Sequence, residues 1–369
     1  MRVASYAPPP GSHSGVADYA EALIPALCKL GPVEVEPGAD ADIHLYHLGN
    51  NRLHADIYER ALAQPGVVVL HDAALHHYLL GTLSHEHYMA EWIFNYGEWR
   101  RELGEELWRD RARSGTDSRY FEFPMLRRIV ASSLGVIVHN QGAATLARSH
   151  GAADVSVIPH FFNPPRQVFH PVEIADFRLR IGAEPSTVVF GVFGYLRETK
   201  RVMSCLASFR RLRAVRPDAA LLLAGEAVSP DLARLLSAEA HHPGIHRMGH
   251  LSERDLQLAA ASIDCCLNLR YPAAGETSGI AIRMMGIGKP VIGSEIPENA
   301  DIPEATMLRV APGPSEPEEL FAQMALVAAC PQIGREIGSQ AAAHIRNHHS
   351  IETVARQYWQ ALERAAKLT

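Results

Sequence analysis

A chain of 369 residues with 47% apolar and 21% charged side chains and a formal net charge of -6 is long enough for two folded domains. It has the composition of a soluble globular protein. That charge balance excludes a general nucleic-acid-binding role, which needs a basic footprint, and no apolar run approaches the ~20 residues that span a bilayer.

The first predicted strand, residues 3–6, has no long apolar leader before it, and the five cysteines show no Cys-x-x-Cys spacing. A reduced, cytoplasmic protein without a disulfide framework or zinc site is expected. The strand runs into Pro8-Pro9-Pro10-Gly11-Ser12-His13-Ser14-Gly15 and a helix carrying Asp18 and Tyr19. A Pro/Gly/Ser loop opening a helix offers free amides to an anion or a sugar hydroxyl. Asp40-Ala41-Asp42 precedes the strand at 43–46 and reads as a polar strand entry rather than a metal-binding DxD; no metal is expected. His47-Leu48-Gly49-Asn50-Asn51 ends that strand. His47, Asn50 and Asn51 either hold acceptor hydroxyls or form a turn with Asn at left-handed positions.

The strand at 67–70 closes on His71-Asp72, where Asp72 orients the imidazole or caps the next helix. Residues 73–128 form a helical insertion dense in His, Trp, Tyr and Arg. It is either core packing with snorkelling arginines or a lid whose aromatic faces take sugar rings. Strands at 136–138 and 155–158 complete a first series, and a proline-bearing polar stretch from 163 to 185 separates it from a second. The second series is 188–193, 221–224, 263–269, 291–292 and 307–310. Buried strands alternating with helices make parallel sheets covered on both faces. Two such series give an α/β chain of two Rossmann-like domains, with the default ligand pocket between them.

Two turns of the second series carry chemistry. Gly191 to Arg201 takes a strand into a cationic turn bearing Arg197, Lys200 and Arg201. Cations are disfavoured at a helix start unless an anion sits there. Gly275-Glu276-Thr277-Ser278-Gly279 joins a buried strand to a short helix, which is an anion-binding context.

This second stretch, continuing to Gly288-Lys289-Pro290-Val291-Ile292, resembles the donor-binding signature of family 4 glycosyltransferases. The resemblance implies the GT-B fold, with parallel sheets facing an interdomain cleft. It implies domains at 1–165 (acceptor) and 180–350 (donor), and a terminal helix at 351–369 crossing back to the first. By the same resemblance His71, Lys200 and Glu276 are the catalytic set. Gly15, Arg197, His250, Leu251, Gly275, Thr277, Ser278, Gly279 and Arg283 bind the donor, and Asp18, Tyr19, His47, Asn50 and Asn51 face the acceptor. Three positions depart from the pattern. Gly275 and Arg283 stand at the two usual glutamates, and Tyr195 stands at the usual arginine, so Arg197 or Arg283 is expected to supply the missing charge.

The implied activity is retaining, metal-independent transfer of a sugar from a nucleotide-diphosphate sugar to a sugar-bearing, lipid-linked or small-molecule acceptor. No cofactor is expected, and the membrane is touched peripherally at most. A non-catalytic GT-B partner of another transferase, a nucleotide-sugar epimerase and a sugar phosphorylase are the alternatives. No GxGxxG opening a helix, Walker A sequence or GxSxG elbow occurs, which sets dehydrogenase, NTPase and hydrolase readings aside.

Overall fold

The computed structural model describes residues 1–12, 14–35, 41–165, 167–239 and 241–368; His13 and Asp40 of the motifs above lie outside them. The chain forms two compact units. Unit 1 holds Met1–Phe161, Pro272–Thr277 and His349–Thr369, and unit 2 holds Phe162–Tyr271 and Ser278–His348.

Unit 1 is built on a six-stranded sheet in the order β2-β1-β3-β4-β5-β6. Its strands are β1 Val3–Tyr6, β2 Val33–Val35, β3 Ile43–Leu48, β4 Val67–Leu70, β5 Gly135–Val138 and β6 Val155–Val157. Every neighbouring pair is parallel. Parallel sheets need helices on both faces, so β4, the run Val67-Val68-Val69-Leu70, is buried along its whole length. The chain places β2 on one side of β1 and returns to β3 on the other, so the strand order switches between β1 and β3.

One face of this sheet is covered by the helices Gly15–Cys28 and Ile351–Ala366. The second buries Val354, Ala355, Tyr358, Ala361, Leu362 and Ala365, the three- and four-residue spacing of an amphipathic helix. The insertion supplies much of the other face with the helices His76–Thr82, His85–Tyr96, Arg101–Asp110, Arg119–Glu122 and Arg127–Ser132. Tyr88, Trp92 and Tyr120 are completely buried there, so these aromatics are core rather than a sugar platform. Trp99 is exposed, with the Arg100 guanidinium 4.4 Å from its ring centre.

Unit 2 has a second six-stranded sheet, ordered β12-β11-β10-β7-β8-β9. Its strands are β7 Val189–Phe193, β8 Ala220–Ala224, β9 Ile245–Met248, β10 Cys265–Asn268, β11 Val291–Ser294 and β12 Leu308–Val310, again all parallel. The chain winds from β7 through β8 to β9, then returns to β10 on the opposite flank of β7. The switch point of this sheet therefore lies between β7 and β10, and open α/β sheets bind ligands at the carboxyl ends of strands at such a point.

Candidate functional site

In unit 2 the carboxyl end of β7 turns sharply. Gly194 is left-handed at φ +78°, followed by Tyr195 and Leu196 and a 3-10 turn, Glu198–Lys200. Arg201 then caps that turn at φ +54° and opens the helix Val202–Val215. A left-handed arginine needs support. Its guanidinium Nε donates to Glu316 at 2.8 Å, and Glu316 is almost fully buried. The turn folds Lys200 back over the strand end, so that Nζ donates to the Phe193 carbonyl at 2.5 Å and the side chain is buried.

A Cβ at Gly194 would lie 3.1 Å from Lys200 Nζ and 3.6 Å from Ile280 Cγ1. Lys200 and the first turn of the helix Gly279–Gly286 therefore meet at this glycine. Ser278 caps that helix, its hydroxyl accepting from Ala281 N at 3.3 Å. First-turn amides have no intrahelical partners, and Gly279 is exposed. An ammonium beside an open helix start at a sheet switch point is a site for an anion.

The turn also relies on Gly225 after β8. Its φ is +144°, and a Cβ there would sit 2.2 Å from the Gly194 carbonyl oxygen. The Gly225→Ala protein should lose about 3 kcal/mol of stability, read as a lowered denaturant midpoint.

The other unit 2 residues expected to bind a donor lie elsewhere. Arg197 is exposed at the start of the 3-10 turn. Arg283 sits in the last turn of its helix and donates to Glu253 at 3.0 and 3.1 Å. His250 is exposed and Leu251 half-buried, just past β9.

Unit 1 collects histidines at the carboxyl edge of four adjacent strands: His47 of β3, His71 after β4, His139 after β5 and His160 after β6. His47 Nδ1 and His71 Nε2 are 3.0 Å apart. His139 Nδ1 donates to the Ile158 carbonyl at 2.9 Å, while its buried Nε2 has no hydrogen-bond partner. Tyr19 packs among them, its ring centre 4.8 Å from those of His71 and His160 and 5.2 Å from that of His139. Its hydroxyl lies 3.0 Å from that of Tyr358. Burial pushes the pKa of His47 down to about 3 and those of His54 and His139 to about 4. It drives His71 well below the usual range, reinforced by His139, His47, His160 and His54. These imidazoles are neutral at pH 7 and so suit hydroxyl groups better than anions. Among the described residues no group of three or more His, Cys, Asp or Glu could hold a metal ion.

Several expected acceptor residues are occupied by the fold. Asn50 accepts from Tyr78 N at 2.9 Å and pairs with His77 Nδ1 at 3.1 Å. Asn51 caps the next turn by accepting from Leu53 N. Asp72 accepts from Asn50 N at 2.7 Å, so it fastens the β3 loop. Gly15 and Asp18 are exposed in the first turn of their helix. Asp42 accepts from Arg2 N, the strand entry expected of it.

Gly275, Glu276 and Thr277 belong to unit 1. Gly275 is left-handed at φ +78°, and a Cβ there would lie 2.4 Å from that of Ala73. Glu276 accepts from Ala274 N at 2.8 Å. Asn140, absent from the residues expected on sequence grounds, donates to the Gly275 carbonyl at 3.0 Å and to Thr277 Oγ1 at 2.9 Å. The sequence does carry a signal for it: His139-Asn140 closes a buried strand as His71-Asp72 does, and asparagine before a helix is a capping residue.

Comparisons with known proteins bear on this geometry. Residues 187–329, less than half of the chain, match the family model described as "Glycosyl transferases group 1". The sucrose-phosphate synthase of Thermosynechococcus elongatus has a similar structure, with a TM-score of 0.66 at 16% identity and 100% of both chains covered. WaaG, a glycosyltransferase involved in lipopolysaccharide biosynthesis, gives 0.66 at 14% identity, covering 98% of this chain and 99% of its own. Anabaena HepE in complex with UDP-glucose gives 0.64 at 15% identity, with 98% and 99% covered. The fold is thus GT-B, two Rossmann-like α/β domains. No curated protein sequence matches the chain.

Proposed function

We propose that the protein is a glycosyltransferase of the retaining, metal-independent type, using a nucleotide-diphosphate sugar and no further cofactor. The observation that carries this reading is the buried Lys200 amine at the Gly194 turn, against the first turn of the Gly279 helix. A departing diphosphate develops negative charge, and preorganised cations and amides aimed at that charge often supply most of the rate enhancement in such reactions. The match of residues 187–329 to a glycosyl transferase model and the UDP-glucose held by a protein of the same fold support it. In unit 1 we assign His71 and Glu276 to sugar hydroxyls. The acceptor, glycan, lipid-linked or small, is assigned to the neutral histidine edge. For a retaining transfer the acceptor hydroxyl attacks as the phosphate leaves, and that phosphate takes its proton.

UDP, GDP, ADP, CDP and TDP should be compared by thermal shift and calorimetry. One of them should stabilise the fold by ~2.7 kcal/mol at a hundred times its dissociation constant, and the matching sugar nucleotide should then release it on turnover. A folded protein indifferent to all five would refute the transferase reading and leave a non-catalytic partner.

A further inference from the structure

We propose that Arg270 is the second cation of the unit 2 anion site and grips the same diphosphate as Lys200. The inference rests on the donor reading above and goes beyond it by assigning the role that Arg197 and Arg283 were expected to fill.

The placement follows from the sheet. β7 and β10 flank the switch point; Lys200 belongs to the turn after β7, and Arg270 stands two residues past Asn268, the end of β10. Its backbone is fixed from both sides. Arg270 N donates to Ser294 Oγ at the end of β11, at 2.9 Å. The next residue, Tyr271, donates its N–H to the Thr199 carbonyl at 2.8 Å. Residue 270 is therefore tied to β11 and residue 271 to the turn that carries Lys200.

Both cations also act on one buried reporter. Burial pushes the Cys266 thiol up to about 12, and Lys200 and Arg270 each pull it the other way. The alternatives are less well placed: Arg197 is exposed, Tyr195 has no charge, and Arg283 sits in the last turn of the Gly279–Gly286 helix, away from its start. A diphosphate carries charge on two phosphoryl groups. Lysine meets one as a point charge, and a guanidinium takes the other through two parallel N–H donors.

The test is calorimetry on the full chain with the nucleoside diphosphate that binds in the panel, its monophosphate and inorganic pyrophosphate. Wild type, Arg270→Met and Arg270→Lys are compared. Arg270→Met should weaken the diphosphate about 10- to 100-fold while leaving the monophosphate within about threefold. Pyrophosphate competition should weaken in parallel. Arg270→Lys should recover part of the loss, and it decides the question if Arg270→Met fails the circular-dichroism check of folding. A variant that binds the diphosphate as wild type does, or loses both nucleotides equally, overturns the proposal. Wild type that binds no nucleotide would instead bring down the donor reading itself.

Discussion

Unit 1 should unfold in mild acid, with its stability falling steeply between pH 6.5 and 5 while unit 2 holds. His47, His54, His71, His76 and His139 all have pKa values depressed first of all by burial. An unfolded chain returns each to about 6.5. Above 6.5 neither state is protonated at these positions, and the fold keeps its full stability. Below 6.5 the unfolded chain binds protons that the folded chain refuses, so stability is lost as pH falls toward the folded values of about 3 to 4. At pH 5 His47, His54, His76 and His139, with folded values of about 3 to 4, each contribute about 2 kcal/mol to that loss, and His71 adds in the same direction. Together these losses are comparable to the roughly 5–15 kcal/mol that holds a typical domain. Carboxylates alone would place the transition lower.

Tryptophan fluorescence isolates this transition, because Trp92, Trp99, Trp108 and Trp359 are the four tryptophans of the chain and all belong to unit 1. The fluorescence should report the acid transition before far-UV circular dichroism registers full loss of structure. The His139→Gln protein should show a shallower pH slope, by about one proton. Flat unit 1 stability from pH 7 to 5 would show that these imidazoles reach water or a partner that tolerates their charge.

The sheets were legible in the sequence for a physical reason. Strands covered on both faces must be apolar throughout, so runs such as Val67 to Leu70 and Leu221 to Leu223 stand out without alternation. The strands that do not stand out are edges: Val33–Val35 is largely exposed, and Ile245–Met248, Ile-His-Arg-Met, buries only its first residue. A one-sided strand carries polar residues that hide it.

The site was legible where a residue's place in the chain implies its place in the fold. A histidine following a buried strand lies at the carboxyl edge, which holds for His71 and equally for His139, which was not expected there. It was not legible where side-chain direction matters. Arg283 and Arg270 are both arginines near the same motif, yet Arg283 lies in the last turn of its helix and joins Glu253, while Arg270 follows β10 and its neighbour Tyr271 bonds the Thr199 carbonyl of the Lys200 turn. The missing glutamate at Gly275 also has a structural cause. A left-handed backbone pressed against Ala73 admits no Cβ. Restoring the usual pattern by Gly275→Glu should therefore destabilise unit 1, seen as a lower melting temperature, rather than improve turnover.

Lys200→Met should cut kcat for sugar transfer by about 10²- to 10³-fold in a protein that remains folded. Methionine keeps much of the length and apolar body of lysine, so packing around β7 is largely preserved. What disappears is the hydrogen bond to Phe193 O and the charge beside the Gly279 helix start. Losing the bond to Phe193 O costs stability of about 1 kcal/mol, which a folded domain survives. The shape of the turn does not depend on the amine, because Arg201 and Glu316 hold its far side and Gly225 holds its near side. A catalytic cation and a structural one then predict different kinetics. If Lys200 stabilises the charge that forms as the donor bond breaks, kcat falls much further than donor affinity does, and Lys200→Arg restores part of the rate by returning a cation. If the amine only ties down the strand end, the melting temperature falls, kcat stays close to wild type in the folded fraction, and Lys200→Arg brings no recovery. Turnover of Lys200→Met within a few-fold of wild type, in protein of normal stability, would remove Lys200 from the chemistry and with it the reason for reading this turn as the leaving-group site.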